Sequence, residues 1–174
     1  MALRKILTEP NEILRKKSLK VEMVDHDLQK LMDDMLETMY AAPGIGLAAI
    51  QVGVPQRVIV LDIAQKDGPK NPMYFVNPEV IEKSANSSTY EEGCLSVPGQ
   101  FAEIARPDKC CVKYLDYHGQ PKEIQAEGML ATCIQHEIDH LEGILFIDYL
   151  SKLKKSMIIK KLSKQKEQLD RIVI

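Results

Sequence analysis

His136, Glu137 and His140 carry the residue types and the spacing of a metal-assisted hydrolytic site. On a helix, residues four apart share a face one turn apart, so both imidazoles can reach one ion. Glu137 follows the first histidine and can reach the edge of that site. A carboxylate there can take a proton from an activated water and later return it. The stretch Gln135-His-Glu-Ile-Asp-His-Leu141 is thus an HExxH pattern. Five positions with three fixed also match by chance, and a core helix with two carbonyl-bonded histidines is the competing reading.

The elements that must position these residues can be read from periodicity. Met129, Leu130, Cys133, Ile134, Ile138 and Leu141 give the segment 129–141 buried character. Leu130, Cys133, Ile134, Glu137 and Leu141 follow helical spacing, which places Glu137 on an apolar stripe. A bare buried carboxylate is costly unless its pKa rises, and a catalytic site explains such a cost. Gly143 suits the helix stop.

A catalytic ion usually has three protein ligands and one open position. An extended pattern with a third histidine fails, because position 146 is Phe. Glu167 lies on a basic tail and is a poor candidate. Cys94, in the turn-rich stretch Glu91-Glu-Gly-Cys-Leu-Ser-Val-Pro-Gly99, is a better one. A thiolate suits zinc or iron and is deprotonated by the ion it binds. Gly93 is expected to relieve crowding beside that ligand. A nucleophilic Cys94 with His136 as base is a rival use. The second histidine at i+4 makes ligation the better account of all three.

The rest of the chain reads as one α+β domain spanning 1–174. Its 174 residues suffice for a sizeable core, and 45% hydrophobic with 28% charged residues is ordinary for a globular protein. No apolar run approaches the ~18 residues that span a bilayer, and the start lacks a signal-peptide core. We expect a cytoplasmic chain with no membrane partner and four reduced cysteines. Adjacent Cys110 and Cys111 are expected on opposite faces of a strand as packing residues. Pro10 onward could open a short first helix. Asp25 is expected to cap a helix running to about Tyr40, with Leu28, Leu31, Met32, Met35, Leu36 and Met39 inward. Gly44 and Gly46 read by themselves as a turn before a strand. Strands are expected at 57–62, 73–77, 80–83, 87–91, 101–106, 110–117 and 122–125. They are antiparallel where adjacent, around the HExxH helix. A further strand and a carboxy-terminal helix should follow that helix.

Charge is uneven. Residues 151–174 hold seven Lys and one Arg against Glu167 and Asp170, a local +6 within a chain of net −2. A basic tail on an acidic body suggests an acidic partner.

Three stretches occur in order: Gly44-Ile-Gly-Leu-Ala-Ala-Ile-Gln51, Glu92-Gly-Cys-Leu-Ser96 and Gln135-His-Glu-Ile-Asp-His-Leu-Glu-Gly143. Together they resemble the three motifs of bacterial peptide deformylase, and the likeness extends over nearly the whole chain. The resemblance implies removal of the formyl group from N-formylmethionine at the start of new polypeptides. It implies one divalent ion per chain, Fe2+ in the native state, with Zn2+, Ni2+ or Co2+ able to replace it. It implies Cys94, His136 and His140 as ligands and Glu137 as general acid/base. It implies Gln51 and the Leu95 backbone N–H as the pair that stabilises the oxyanion. Ile45, Gly46, Met129, Cys133 and His136 should line the methionine pocket, and Glu92 with Arg106 should brace the cysteine loop. Several family members carry Arg where this chain has Phe101. The resemblance also implies docking of the basic segment 151–174 on the ribosome. Two other readings stand beside it: a metal-dependent endopeptidase, which HExxH alone permits, and a catalytically idle ribosome-binding module.

Overall fold

The computed structural model describes residues 2–64 and 67–172. Three helices and seven strands run in the order α1 (His26–Ala41), β1 (Gly46–Ala48), β2 (Val58–Leu61), β3 (Met73–Lys83), β4 (Ser87–Cys94), β5 (Val97–Pro107), β6 (Lys109–Leu115), β7 (Pro121–Glu127), α2 (Gly128–Leu141) and α3 (Lys152–Ile172). The strands form an antiparallel five-stranded sheet, β1-β2-β3-β6-β7, and a separate β4-β5 hairpin. This is the expected α+β class.

Helix α1 begins where its sequence says. The Asp25 carboxylate accepts the Leu28 N–H at 2.9 Å, filling one of the donors a helix start leaves open. Leu28, Leu31, Met32, Met35 and Met39 are buried and pack against one side of β1 and β2. On the other side lies α2, whose Ala131, Cys133, Ile134 and Leu141 pack on Ile59, Leu61, Phe75 and Val112. The central helix is therefore held against the sheet by its apolar stripe, and the HExxH residues ride on it.

Some boundaries differ from expectation. Glu12–Arg15 is a single 3-10 turn, with Asn11 accepting the Ile13 N–H, rather than an α-helix. The runs 73–77 and 80–83 are one strand with an irregular register around Asn77, whose φ is 51°. Asn77 bridges Val21 with its side chain, accepting from that residue's N–H and donating to its carbonyl. No strand follows α2 among the described residues. The chain turns on Gly143 (φ 75°) and forms a 3-10 turn at Phe146–Tyr149. A Cβ on Gly143 would run into the Arg15 carbonyl, so this turn needs glycine for space as well as for φ.

Helix α3 is bound by one edge. Leu162 is buried, and Ile158 and Ile159 lie partly buried against Val97, Ile104, Phe146 and Ile147. Leu153 and Met157, on the same helix, are 72% and 62% exposed.

Candidate metal centre

Cys94 comes from the tight end of the β4-β5 hairpin. The register slips between Gly93 and Cys94, so Cys94 pairs with Val97 across a Leu95-Ser96 turn. Gly93 does make room, but for a different neighbour than expected. A Cβ there would lie 2.6 Å from the Phe101 ring directly across the hairpin. His136 and His140 descend from α2 on one face, with ring centroids 5.1 Å apart. Cys94 Sγ lies 3.3 Å from His140 Nε2. Each of the three residues offers a ligand atom, and these atoms lie within 4.8 Å of one another. Among the described residues no other such group of His, Cys, Asp or Glu occurs. A thiol and two imidazoles converging at that distance fit a borderline divalent ion of the iron–zinc type.

The histidines are prepared differently. His136 Nδ1 bonds Glu92 Oε1 at 2.8 Å, which fixes the ring and leaves Nε2 toward the site. Burial opposes charge on His136, but bonds to Cys94 and Glu92 and the nearby Glu137 outweigh it and raise its pKa well above normal. A bound cation would displace that proton. Burial, His136 and Arg106 hold His140 well below its ordinary value, so its imidazole is neutral and ready to ligate.

Behind Glu92 stands a second layer. Arg106 grips the Glu92 carboxylate in a fork at 2.7 and 3.0 Å, and its third nitrogen reaches Asp139 at 2.8 Å. Both Glu92 and Arg106 are buried. Burial works to neutralise Glu92, yet the bonds from His136 and Arg106 win and lower its pKa. Tyr149 closes the layer, with its hydroxyl 2.7 Å from Asp139 and its ring under the guanidinium. Asp139 and Tyr149 were not singled out in the sequence. Asp139 sits inside the HExxH stretch, and only folding shows which residue it meets.

Gln51 is locked in place. Its Oε1 accepts the Ala48 N–H at 2.9 Å, and its Nε2 donates to Ser96 Oγ at 2.9 Å. The same nitrogen lies 3.5 Å from Cys94 Sγ, so its second N–H points at the centre. Ser96 was quoted within a motif but given no role. Leu95, whose backbone N–H stands on the hairpin turn, packs over Gly44, where a Cβ would meet it at 2.7 Å.

Glu137 is buried, and its Oε2 has no hydrogen-bond partner among the described residues. Burial pushes its carboxyl up to about 7 against the pull of His136 and Arg106. It borders a cleft of about 460 Å³ with Ile45, Gly46, Gln51, Met129, Cys133 and His136 in its wall. Cys133 is only 7% exposed. Burial, with the nearby Glu137 and Glu92 charges, pushes its thiol up to about 12. A thiol held protonated in this way presents a small, weakly polar surface to the cleft.

Residues 3–156 match the family described as polypeptide deformylase. The peptide deformylase of Pelagibacter ubique is 64% identical over 174 residues, covering all of both chains. That of Maricaulis maris is 58% identical over 98% of each. The chain belongs to the peptide deformylase family. Its fold superposes on the Ehrlichia chaffeensis peptide deformylase solved in complex with actinonin. The TM-score is 0.91 at 44% identity, with 95% of this chain and 98% of that one covered. For the Legionella pneumophila peptide deformylase the TM-score is 0.89 at 48% identity, covering 98% and 99%. The chain is accordingly a metal-binding hydrolase that removes the formyl group from the N-terminal formylmethionine of new polypeptides. The endopeptidase and idle-module readings are not favoured. No described helix is long and apolar enough to cross a membrane.

Proposed function

We propose that Cys94, His136 and His140 hold the divalent cation, and that Fe2+ is its native identity with Zn2+, Ni2+ or Co2+ as substitutes. The observation that carries this reading is the convergence of the three ligand atoms within 4.8 Å. When bound, such a cation supplies Lewis acidity, making water a better nucleophile and the formyl carbon a better target. The rest falls to the chain.

The methionine side chain enters between Ile45, Gly46, Met129 and Cys133, an unbranched apolar chain meeting a small apolar wall. That seats the formyl carbon beside Glu137. Glu137 takes a proton from water as its oxygen bonds the formyl carbon. It then gives that proton to the departing amine as the C–N bond breaks, so formate and a free amino terminus result. Burial raises that carboxyl above the ordinary carboxylate range, which favours its holding the proton between the two halves of the exchange. Negative charge grows on the formyl oxygen meanwhile. The Gln51 N–H that points at the centre, its nitrogen 3.5 Å from Cys94 Sγ, and the backbone N–H of Leu95 are the donors for it. Preorganisation of Gln51 by Ala48 and Ser96 supports that role, because the amide need not be ordered during the reaction.

The unit that does this is the single domain 1–174, with 151–174 as a basic segment that docks on the ribosome in the cytoplasm. Metal analysis after anaerobic purification tests the centre. Cys94→Ala, His136→Ala and His140→Ala should each lose stoichiometric metal. Full retention in Cys94→Ala would reject the thiolate ligand.

A further inference from the structure

The cleft beside Glu137 runs outward past Gly99 to Gln100 and Phe101. A second groove begins at the same two residues and continues between β5 and α3, with Lys154, Met157 and Lys161 on its far wall. Two observations set this surface apart from a packing seam. Phe101 and Met157 are large apolar side chains left 65% and 62% exposed, while Leu162 on the same helix is buried. Phe101 is held out by the hairpin itself, because its ring rests on Gly93, where any Cβ would collide with it. The groove is also unbalanced in charge, since Lys154 and Lys161 face only the Glu103 carboxylate among its walls.

We propose that this groove receives the substrate polypeptide from about its third residue onward, and that it favours an apolar residue followed by acidic ones. The inference rests on the deformylase activity given above. With formylmethionine in the cleft, the remaining chain must leave by the open end, and Phe101 stands there. An extended chain advances about 3.3 Å per residue, so the second residue crosses the phenyl ring and the third enters the groove. The Phe101 ring and the Met157 thioether give an adaptable apolar contact. The two lysines attract carboxylates weakly, as exposed charges do, and less at high salt. The groove then selects among substrates through binding and leaves the chemistry alone.

The test compares formate release from formyl-Met-Ala and from formyl-Met-Ala-Leu-Glu-Glu, for the wild type and for the Lys154→Glu/Lys161→Glu variant. On the pentapeptide the variant's KM should rise about 3- to 10-fold with kcat unchanged, the size two exposed charge pairs allow. On the dipeptide both parameters should stay within twofold. The rise should disappear when the two glutamates of the peptide are glutamines. Met157→Gln should raise KM for both pentapeptides about twofold. An equal KM shift on dipeptide and pentapeptide would overturn the proposal, and so would no shift on the acidic pentapeptide. Absence of formate release from the dipeptide by the wild type would instead strike the activity on which the proposal rests.

Discussion

A Cβ placed on Gly46 would lie 2.5 Å from Glu137 Oε1 and 2.9 Å from Leu61. The glycine of β1 and the acid of α2 are therefore fitted to each other across the cleft. Gly46 has an ordinary backbone conformation, so space is the reason for the glycine. Gly46→Ala should push the Glu137 carboxylate out of line, and a displacement near 1 Å can cost about 10²-fold in rate. The metal should remain, since Gly46 contributes nothing to the ligand group. Steady-state kinetics with metal analysis decide the matter. A wild-type rate in Gly46→Ala would mean that the carboxylate relocates without consequence.

Glu137→Gln keeps the shape of the side chain and removes its proton chemistry. It should retain metal and lose about 10²–10⁴-fold in kcat. A loss under tenfold at full metal content would assign proton transfer to another group.

Gln51 and Ser96 make a graded pair of tests. Gln51→Ala should lower kcat about 10²–10³-fold with a smaller change in KM, because the oxyanion's charge appears in the transition state. Ser96→Ala removes only the acceptor that aims the amide, and we expect a loss of roughly tenfold, again in kcat. A rise in KM at constant kcat for Gln51→Ala would make it a ground-state binding residue.

How far the sequence reached depended on the range of the interactions involved. Helices α1 and α2 were legible because their caps and apolar stripes are local, and Asp25 and Gly143 mark their ends within a few residues. Strand β3 was split because Asn77-Pro78 reads as a turn. Its continuity depends on Asn77 bonding Val21, 56 residues away. The strand placed after α2 became a 3-10 turn that packs Phe146 beneath the hairpin. Cys94, His136 and His140 were legible as candidate ligands from residue type and spacing as well as motif likeness, and the structure brings the three together. Ser96, Asp139 and Tyr149 act through partners that only the tertiary fold brings close. Gly93 had a local signal for a tight spot, but the neighbour it accommodates, Phe101, lies across the hairpin.

Asp148 predicts how stability falls in acid. Its carboxylate accepts from Arg15 at 2.6 Å and from the Leu145 N–H at 3.1 Å, and it is ion-paired with Lys155 at 2.8 Å. Burial would raise its pKa, but bonds to Lys155 and Arg15 prevail and hold it below 3.8. A carboxyl with a depressed folded pKa adds stability above its unfolded value, and that stability is lost as pH falls through the folded one. Asp148→Asn should therefore lower Tm at pH 7. Losing charge-assisted bonds costs about 1.5–3 kcal/mol. For a chain of this size that corresponds to roughly 3–12 °C. The gap should close as pH drops below about 4. Thermal melts across pH 3 to 7 check this, and a constant gap would place the effect in packing rather than charge.

The basic helix α3 carries the last prediction. Lys160, Lys164 and Lys166 are exposed and lie outside the groove between β5 and α3. Ribosomal RNA is dense in phosphate, and lysines that neutralise phosphates gain affinity by counterion release, with a steep loss as salt rises. Ending the chain near Leu150 is a blunt test. It removes Leu162, whose burial contributes about 1.5–3 kcal/mol, and uncovers Val97 and Phe146 under the Cys94 hairpin. Charge reversal is cleaner. Lys160→Glu/Lys164→Glu/Lys166→Glu should leave formate release from formyl-Met-Ala within twofold while co-sedimentation with ribosomes at low salt falls at least tenfold. Raising the salt should detach the wild type as well, so that the two chains converge. Equal co-sedimentation of both at low salt would return α3 to a packing role, with its lysines as a solvated face.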